Sequence, residues 1–303
     1  CYRSSAMSMR RRPSPVATTR LYYSDPLLME FNCRVLQCEP SSYNSSSTPV
    51  YEVITDVTAF YPNSGGQPSD RGTLDGADVI DVIERDDTIV HITPADVPLG
   101  PTTGRIDIER RFDHMQQHSG QHILSAAFAQ LFDLTTVGFH LGDEYVTIDL
   151  DATEISPDQL AAVERLACEV VFQNRPVESK FWDPAALDRS KLRKPTNRLE
   201  DIRIVDIDGF DFSACGGTHV RATGEVGLIK ITRTERLRNI TRVEFVCGRR
   251  ALADYRLKNA VAIASAAAMS VHVRELPEAT ERLLAQGREL HRTIEHARAE
   301  LDQ

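Results

Sequence analysis

The chain is 303 residues long, 41% hydrophobic and 26% charged, the proportions of a globular protein of about two domains with apolar residues enough for a real core. No run approaches the roughly 18 uninterrupted apolar residues of a membrane-spanning helix, since the Ala-rich stretch 260–269 is flanked by Lys258 and His272. With 44 Asp and Glu against 35 Lys and Arg the net charge is −9, which excludes diffuse attraction to nucleic acid, so any such partner must meet a local basic patch.

Residues 1–20 are rich in Ser and Arg and free of acids (Arg3, Arg10, Arg11, Arg12, Arg20). Two readings stand: an organelle transit segment, which would direct the chain to mitochondria, or a disordered leader on a cytoplasmic protein. Residues 21–110 have a β texture. Tyr51 to Val57, Ala77 to Glu84 and Thr88 to Ile92 alternate or are β-branched, and Pro, Gly, Asn and Asp separate them, as in a barrel or small sandwich. The Ser-rich stretch 41–48 reads as a loop.

Residues 111–250 read as α+β. Ile123, Leu124, Ala127, Phe128 and Leu131 at helical spacing predict a helix over 113–132 with Asp113 as its cap. A strand is expected over Tyr145 to Leu150. A second helix opens at Ser156-Pro157-Asp158 and runs through Leu160, Val163, Leu166, Ala167 and Val170. Further strands are expected at 202–207, 226–232 and 242–247. Residues 251–303 read as helical with a break near Pro277. Leu276, Leu283, Leu290 and Ala297 recur every seven residues, with Ile294 and Leu301 at the complementary offset, giving a short coiled coil or helical hairpin that could also carry a homodimer.

Six scattered cysteines (Cys1, Cys33, Cys38, Cys168, Cys215, Cys247) form no dense framework, which favours free or metal-bound thiols in a reducing compartment. The strongest constellation pairs His118-Ser119-Gly120-Gln121-His122 with Cys215-Gly216-Gly217-Thr218-His219. Side chains four apart on a helix share a face, so His118 and His122 can offer two imidazoles to one ion. The glycines at 216 and 217 permit a turn that brings Cys215 and His219 together, completing the nitrogen and sulfur set zinc prefers. Spacing alone leaves two alternatives open: His114 lies on the same face, so the pair could be 114/118, and the histidines could simply cap or line the helix. A third motif, Phe60-Tyr61-Pro62-Asn63-Ser64-Gly65-Gly66-Gln67, reads either as a hairpin turn or as a loop that lets backbone approach a ligand, with Gln67 as donor and acceptor.

Together these motifs resemble the editing module of alanyl-tRNA synthetase and, most closely, its freestanding relatives, the medium-to-long alanyl-tRNA editing proteins of the AlaX group. The runs Met115 to His122, Val137 to Gly142, Thr147 to Asp151 and Thr223 to Gly227 agree with it, and the resemblance covers about 20–250. It implies a β-barrel-like N-terminal domain (21–110) carrying the Gly-Gly-Gln loop, and an α+β editing domain (111–250) shared with threonyl-tRNA synthetase as its second additional domain. The helical extension occupies 251–303. It implies one zinc per chain on His118, His122, Cys215 and His219, and a substrate loop at Gly65, Gly66 and Gln67. His114, which has no ligand counterpart in the family, is placed on the helix's first turn. The implied activity is hydrolysis of the ester linking serine, or glycine, to tRNA(Ala), with a zinc-bound water and Gln67 orienting water or the terminal ribose. One departure stands out: Ser119-Gly120-Gln121 between the two histidines is the freestanding pattern, not the synthetase one.

Charge supplies the expected tRNA surface. Seven basic residues from Lys230 to Arg250, among them Arg236, Arg238 and Arg242, face only Glu235 and Glu244. Arg189 to Arg203 is a second basic run. Two rival readings are a fragment of a full alanyl-tRNA synthetase and a release-factor-like protein, the latter suggested by Gly65-Gly66-Gln67 alone.

Overall fold

The computed structural model describes residues 17–41, 43, 49–196 and 202–301. The expected leader, most of the Ser-rich loop and residues 197–201 lie outside the described residues. Through Arg250 the chain forms one compact unit, and from Ala251 a second. The boundary expected at 110 therefore falls inside the first unit.

Nine short strands open the chain: β1 (Thr19–Arg20), β2 (Glu30–Ser41), β3 (Val50–Thr55), β4 (Val57–Thr58), β5 (Gly72–Leu74), β6 (Ala77–Val79), β7 (Asp81–Arg85), β8 (Thr88–Thr93) and β9 (Gly100–Ile106). Seven of them make an antiparallel sheet ordered β6-β5-β9-β2-β3-β8-β7, while β1 and β4 form a small parallel pair. The two edges of the sheet, β6 and β7, are consecutive in the chain. Ile80 between them donates its N–H to the Ile92 carbonyl of β8, so the sheet curls until it is nearly a closed barrel. Alternation along β2 turns Phe31, Cys33 and Val35 inward, where they meet Val53, Phe60, Leu74, Val82 and Ile89.

The α+β region begins with α1 (Ile108–Phe132), which starts five residues before the expected position. Its cap is Asp107, whose carboxylate accepts from the N–H groups of Glu109 and Arg110 at 3.0 and 3.1 Å. Asp113 instead accepts from the Arg250 guanidinium at 2.6 Å. After α1 come β10 (Thr136–Leu141), β11 (Val146–Leu150), α2 (Pro157–Phe172), β12 (Val177–Trp182), β13 (Ile202–Ile207), β14 (Asp211–Ala214), β15 (Ile229–Leu237) and β16 (Ile240–Cys247). Helix α2 carries the expected Ser156 cap, as a full capping box with Gln159. The strands form two antiparallel sheets, β10-β11-β16-β15 and β12-β13-β14. One core joins both helices to both sheets through Ile123, Leu124, Phe128, Val163, Val170, Ile148, Val205 and Phe245.

Arg111, fully buried on α1, fastens that helix to the barrel. It pairs with the equally buried Asp70, and also donates to the carbonyls of Pro26 and Ala59, each at 2.6 Å. Asp70 in turn accepts from the Tyr61 N–H at 2.6 Å, so the loop preceding Gly65 and the start of α1 share one ion pair.

Helix α3 (Gly248–Met269) carries the chain into the second unit, and α4 (Leu276–Leu301) completes it. The break falls at Ser270, where φ is +54°, and at a single 3-10 turn, Val273–Glu275. Pro277 is the second residue of α4, where its missing N–H has no helical partner to lose. Leu283, Leu290 and Ile294 of the seven-residue pattern are exposed on α4. No helix among the described residues is long and apolar enough to cross a membrane.

Candidate metal centre

Strand β14 and the loop after it lay Cys215 and His219 against the buried face of α1. The imidazoles of His118 and His122, one turn apart, have centroids 5.4 Å from each other, and the His219 ring is 4.5 and 4.8 Å from them. Cys215 Sγ lies 3.4 Å from Nε2 of both His118 and His219. All four donor atoms fall within 4.8 Å of one another, and the three histidines are buried. Tetrahedral zinc with bonds of 2.0–2.3 Å places its donors about 3.3–3.8 Å apart, so the Cys–His separations already suit such an ion and the donor chemistry fits it. The 118/122 pair is the one the fold brings beside Cys215 and His219. His114 sits in the second turn of α1, not the first, and points among Arg110, Arg111 and Arg250; burial and those charges push its pKa down to about 3.

Each histidine of the cluster turns Nδ1 to a partner outside it. His122 Nδ1 donates to Asp211 Oδ2 at 2.8 Å, His118 Nδ1 to Gln67 Oε1 at 2.8 Å, and His219 Nδ1 faces Ser119 Oγ at 3.3 Å. With the proton held on Nδ1, Nε2 keeps its lone pair for the cluster. Burial disfavours the Cys215 thiolate, yet the imidazoles around it outweigh burial and hold the thiol well below its usual range. Burial likewise opposes the His122 imidazolium, but its bonds to Asp211 and Cys215 raise its pKa to about 9, so without an ion His122 carries on Nε2 a proton that a metal would displace. Asp211, despite burial, is lowered to about 2 by His122 and Arg193. The ligand set is thus poised to present a thiolate at neutral pH, the form that binds a metal.

Two glycines make room for this packing. A Cβ on Gly217 would fall 2.2 Å from Cε1 of His118, and one on Gly66, whose φ is +85°, would fall 2.8 Å from the Phe139 ring and carbonyl. Phe139 stacks on His118 with centroids 4.9 Å apart. Gly65 is exposed at the tip of its loop.

Gln67 is fully buried. Its Oε1 accepts from His118 and from the Thr218 N–H (3.2 Å), and its Nε2 donates to Thr218 Oγ1 (2.9 Å). So engaged, Gln67 braces His118 against Thr218 and is not presented at a loop tip as the release-factor reading requires. Sequence reading also missed Asp211, Ser119, Phe139 and Arg203. Asp211 had a signal: strand alternation puts 211, 213 and 215 on one face, so an acid and a serine precede the cysteine ligand on the same side. Arg203 Nη1 donates to the carbonyls of Cys215 (3.0 Å) and Gly217 (2.8 Å), pinning the ligand loop.

The basic runs divide. Arg242 is held by Asp149 through two bonds of 2.7 and 2.9 Å, while Lys230 pairs with Glu164 and Arg250 with Asp113. Arg233, Arg236 and Arg238 are exposed near the tip of the β15–β16 hairpin and have no acidic partner among the described residues. In the second run, Arg193 pairs with Asp211 and Arg203 is buried.

Residues 202–244 match the family model of the threonyl and alanyl tRNA synthetase second additional domain. The chain is 37% identical over 245 residues to the alanyl-tRNA editing protein AlaX-L of Pyrococcus horikoshii, an alignment covering 77% of this chain and 59% of that protein. It is 35% identical over 242 residues to the alanyl-tRNA editing protein Aarsd1 of Bos taurus, covering 75% of this chain and 54% of the relative. It is also 33% identical over 317 residues to the alanine–tRNA ligase of Pyrococcus furiosus, covering 94% of this chain and 32% of the ligase. The chain thus spans little more than half the length of the editing proteins it matches. It is a homologue of the alanyl-tRNA editing proteins, and its residues 202–244 carry the likeness to the second additional domain of threonyl and alanyl tRNA synthetases.

Proposed function

We propose that the chain is a zinc-dependent aminoacyl-tRNA deacylase that hydrolyses the ester joining serine, and glycine, to tRNA(Ala). The observation that carries this reading is the four-donor cluster of His118, His122, Cys215 and His219 in a homologue of editing proteins. A pocket built for alanine discriminates weakly against neighbours that differ by one small group, so a second, hydrolytic site is the chemical remedy.

In this reading the four residues hold one zinc ion, which when bound supplies a Lewis acid able to activate water, polarise the ester carbonyl or anchor the amino group. Asp211 and Gln67 are positioning residues: each fixes the tautomer and tilt of one imidazole. The exposed amide edge at Gly65 and the half-buried Gly66 border the substrate, and Phe139 walls the site on the His118 side. The exposed arginines of the β15–β16 hairpin, Arg236 and Arg238 with Arg233, bind tRNA phosphates. Arg242 contributes there only by giving up Asp149. Leu283, Leu290 and Ile294 on α4 form the seam of a homodimer.

Deacylation of Ser-tRNA(Ala), Gly-tRNA(Ala) and Ala-tRNA(Ala), assayed side by side, tests the proposal. The serine ester should be cleaved much faster than the alanine ester, whereas equal rates would mean an enzyme that destroys the product it protects. A second reading, that the sequence is the editing portion of an alanine–tRNA ligase, is favoured by the ligase alignment spanning 94% of the chain. The size of the endogenous polypeptide on an immunoblot separates the two.

A further inference from the structure

A cavity of about 810 Å³ opens at Gly216, the residue between the ligand Cys215 and the Gly217 that packs on His118. Its walls carry two aromatic rings, Tyr23 and Phe181, and three cations, Arg20, Lys180 and Arg203, against two acids, Glu84 and Asp87. Tyr23 and Phe181 meet edge to face with centroids 5.2 Å apart, and Phe181 is half exposed. The Arg203 guanidinium lies over the Tyr23 ring at 5.2 Å, with Arg20 over the same ring at 6.0 Å. The Tyr23 hydroxyl is 4.0 Å from the place a Cβ on Gly216 would take, so the aromatic wall stands directly above the ligand loop. Arg203 is 4% exposed and lines the cavity, yet its Nε has no hydrogen-bond partner. The side chain thus brings a guanidinium edge to the cavity wall while its Nη1 holds the carbonyls of Cys215 and Gly217.

We propose that this cavity receives the terminal nucleotide of the tRNA acceptor end, its base against Phe181 and Tyr23 and its sugar-phosphate oxygens toward Arg203. The assignment rests on the deacylase reading, which requires the ester of the terminal ribose to lie at the cluster. The chemistry is that of single-stranded nucleic acid sites, where an aromatic face supports a base and a cation tracks the backbone. The volume lies within the range of small-molecule sites and accommodates one nucleotide. Open walls explain how a strand enters: Ser24 is exposed, Ser179 half-buried, and Glu84 on the rim is neutralised by Arg20.

The test uses an acceptor-stem RNA with 2-aminopurine as its terminal base, a second RNA lacking that nucleotide, and the zinc-loaded full chain. Wild type should quench the 2-aminopurine and bind the complete RNA about tenfold more tightly than the truncated one. Phe181→Ala should lose the quench and most of that preference, with zinc content unchanged, and Phe181→Tyr should restore both. Ser24→Trp, which fills the cavity without removing its wall, should also erase the preference and keeps the test open should Phe181→Ala fail to fold. If either folded variant keeps the wild-type quench and preference while Ser-tRNA(Ala) is deacylated, the cavity assignment is overturned and the deacylase reading survives. A quench abolished by both variants in a protein that deacylates nothing would support the cavity and overturn the deacylase.

Discussion

Helices α1 and α2 share one hydrophobic core, yet they are buried by different means. Helix α2 buries Val163, Ala167, Val170 and Val171, an apolar stripe, and leaves the rest of its surface to solvent. Helix α1 buries every residue from His114 to Phe128, and His114, Gln116, Gln117, His118, Ser119, Gln121, His122 and Ser125 among them are polar. Burying polar groups is tolerable only when they find partners, and those of α1 come from far along the chain. Gln116 donates to the Glu225 carbonyl, Gln117 bonds both the carbonyl and the N–H of Cys247, and Ser119 accepts from Val220. The comparison teaches that α2 is a packing element, while α1 is a polar rack whose fixed imidazoles are its product.

The contrast can be broken most severely at Arg111. Arg111→Met leaves the Asp70 carboxylate buried without its ion-pair partner and should cost about 3–5 kcal/mol, read as a lowered urea midpoint at unchanged slope. Gln117→Leu keeps the helix and the bulk but strands two buried backbone groups of Cys247, and should cost about 2–3 kcal/mol in the same assay.

Acid sharpens the comparison, since α2 buries no titratable side chain. Burial lowers His114 from an ordinary value of 6.5 to about 3 in the folded chain. Between those values the unfolded chain binds the extra proton, so stability is full above pH 6.5 and falls as pH drops toward 3. At pH 4.5 this loss is on the order of 2 kcal/mol, and His114→Leu should flatten that part of the stability curve relative to wild type. The smallest effect belongs to α2: Ser156→Ala removes a capping box and should cost about 1 kcal/mol, leaving metal content untouched.

The same two helices show what a sequence discloses. The stripe of α2 and its Ser156-Pro157 start are local signals, and both are where the pattern put them. In α1 the apolar positions were equally legible, but Asp113 looked like a cap because its true partner, Arg250, lies 137 residues on. The clustering of His118, His122, Cys215 and His219 could be read because spacing four apart on a helix and a Cys-Gly-Gly-Thr-His turn each constrain local geometry. The task of Gln67 could not, because its partners sit 51 and 151 residues away. Arg242 looked free for the same reason, with Asp149 distant in sequence and adjacent only once β11 and β16 pair. The barrel's closure through Ile80 likewise depends on pairing that alternation cannot specify.

The central claim is that the polar burial of α1 exists to hold a metal. Elemental analysis of the full chain, purified with zinc and compared with Cys215→Ala, tests it most directly. The geometry predicts about one zinc per wild-type chain and a large loss in the variant, because Cys215 supplies the thiolate of the cluster. A wild type that binds no metal, or a variant that keeps full stoichiometry, would contradict it.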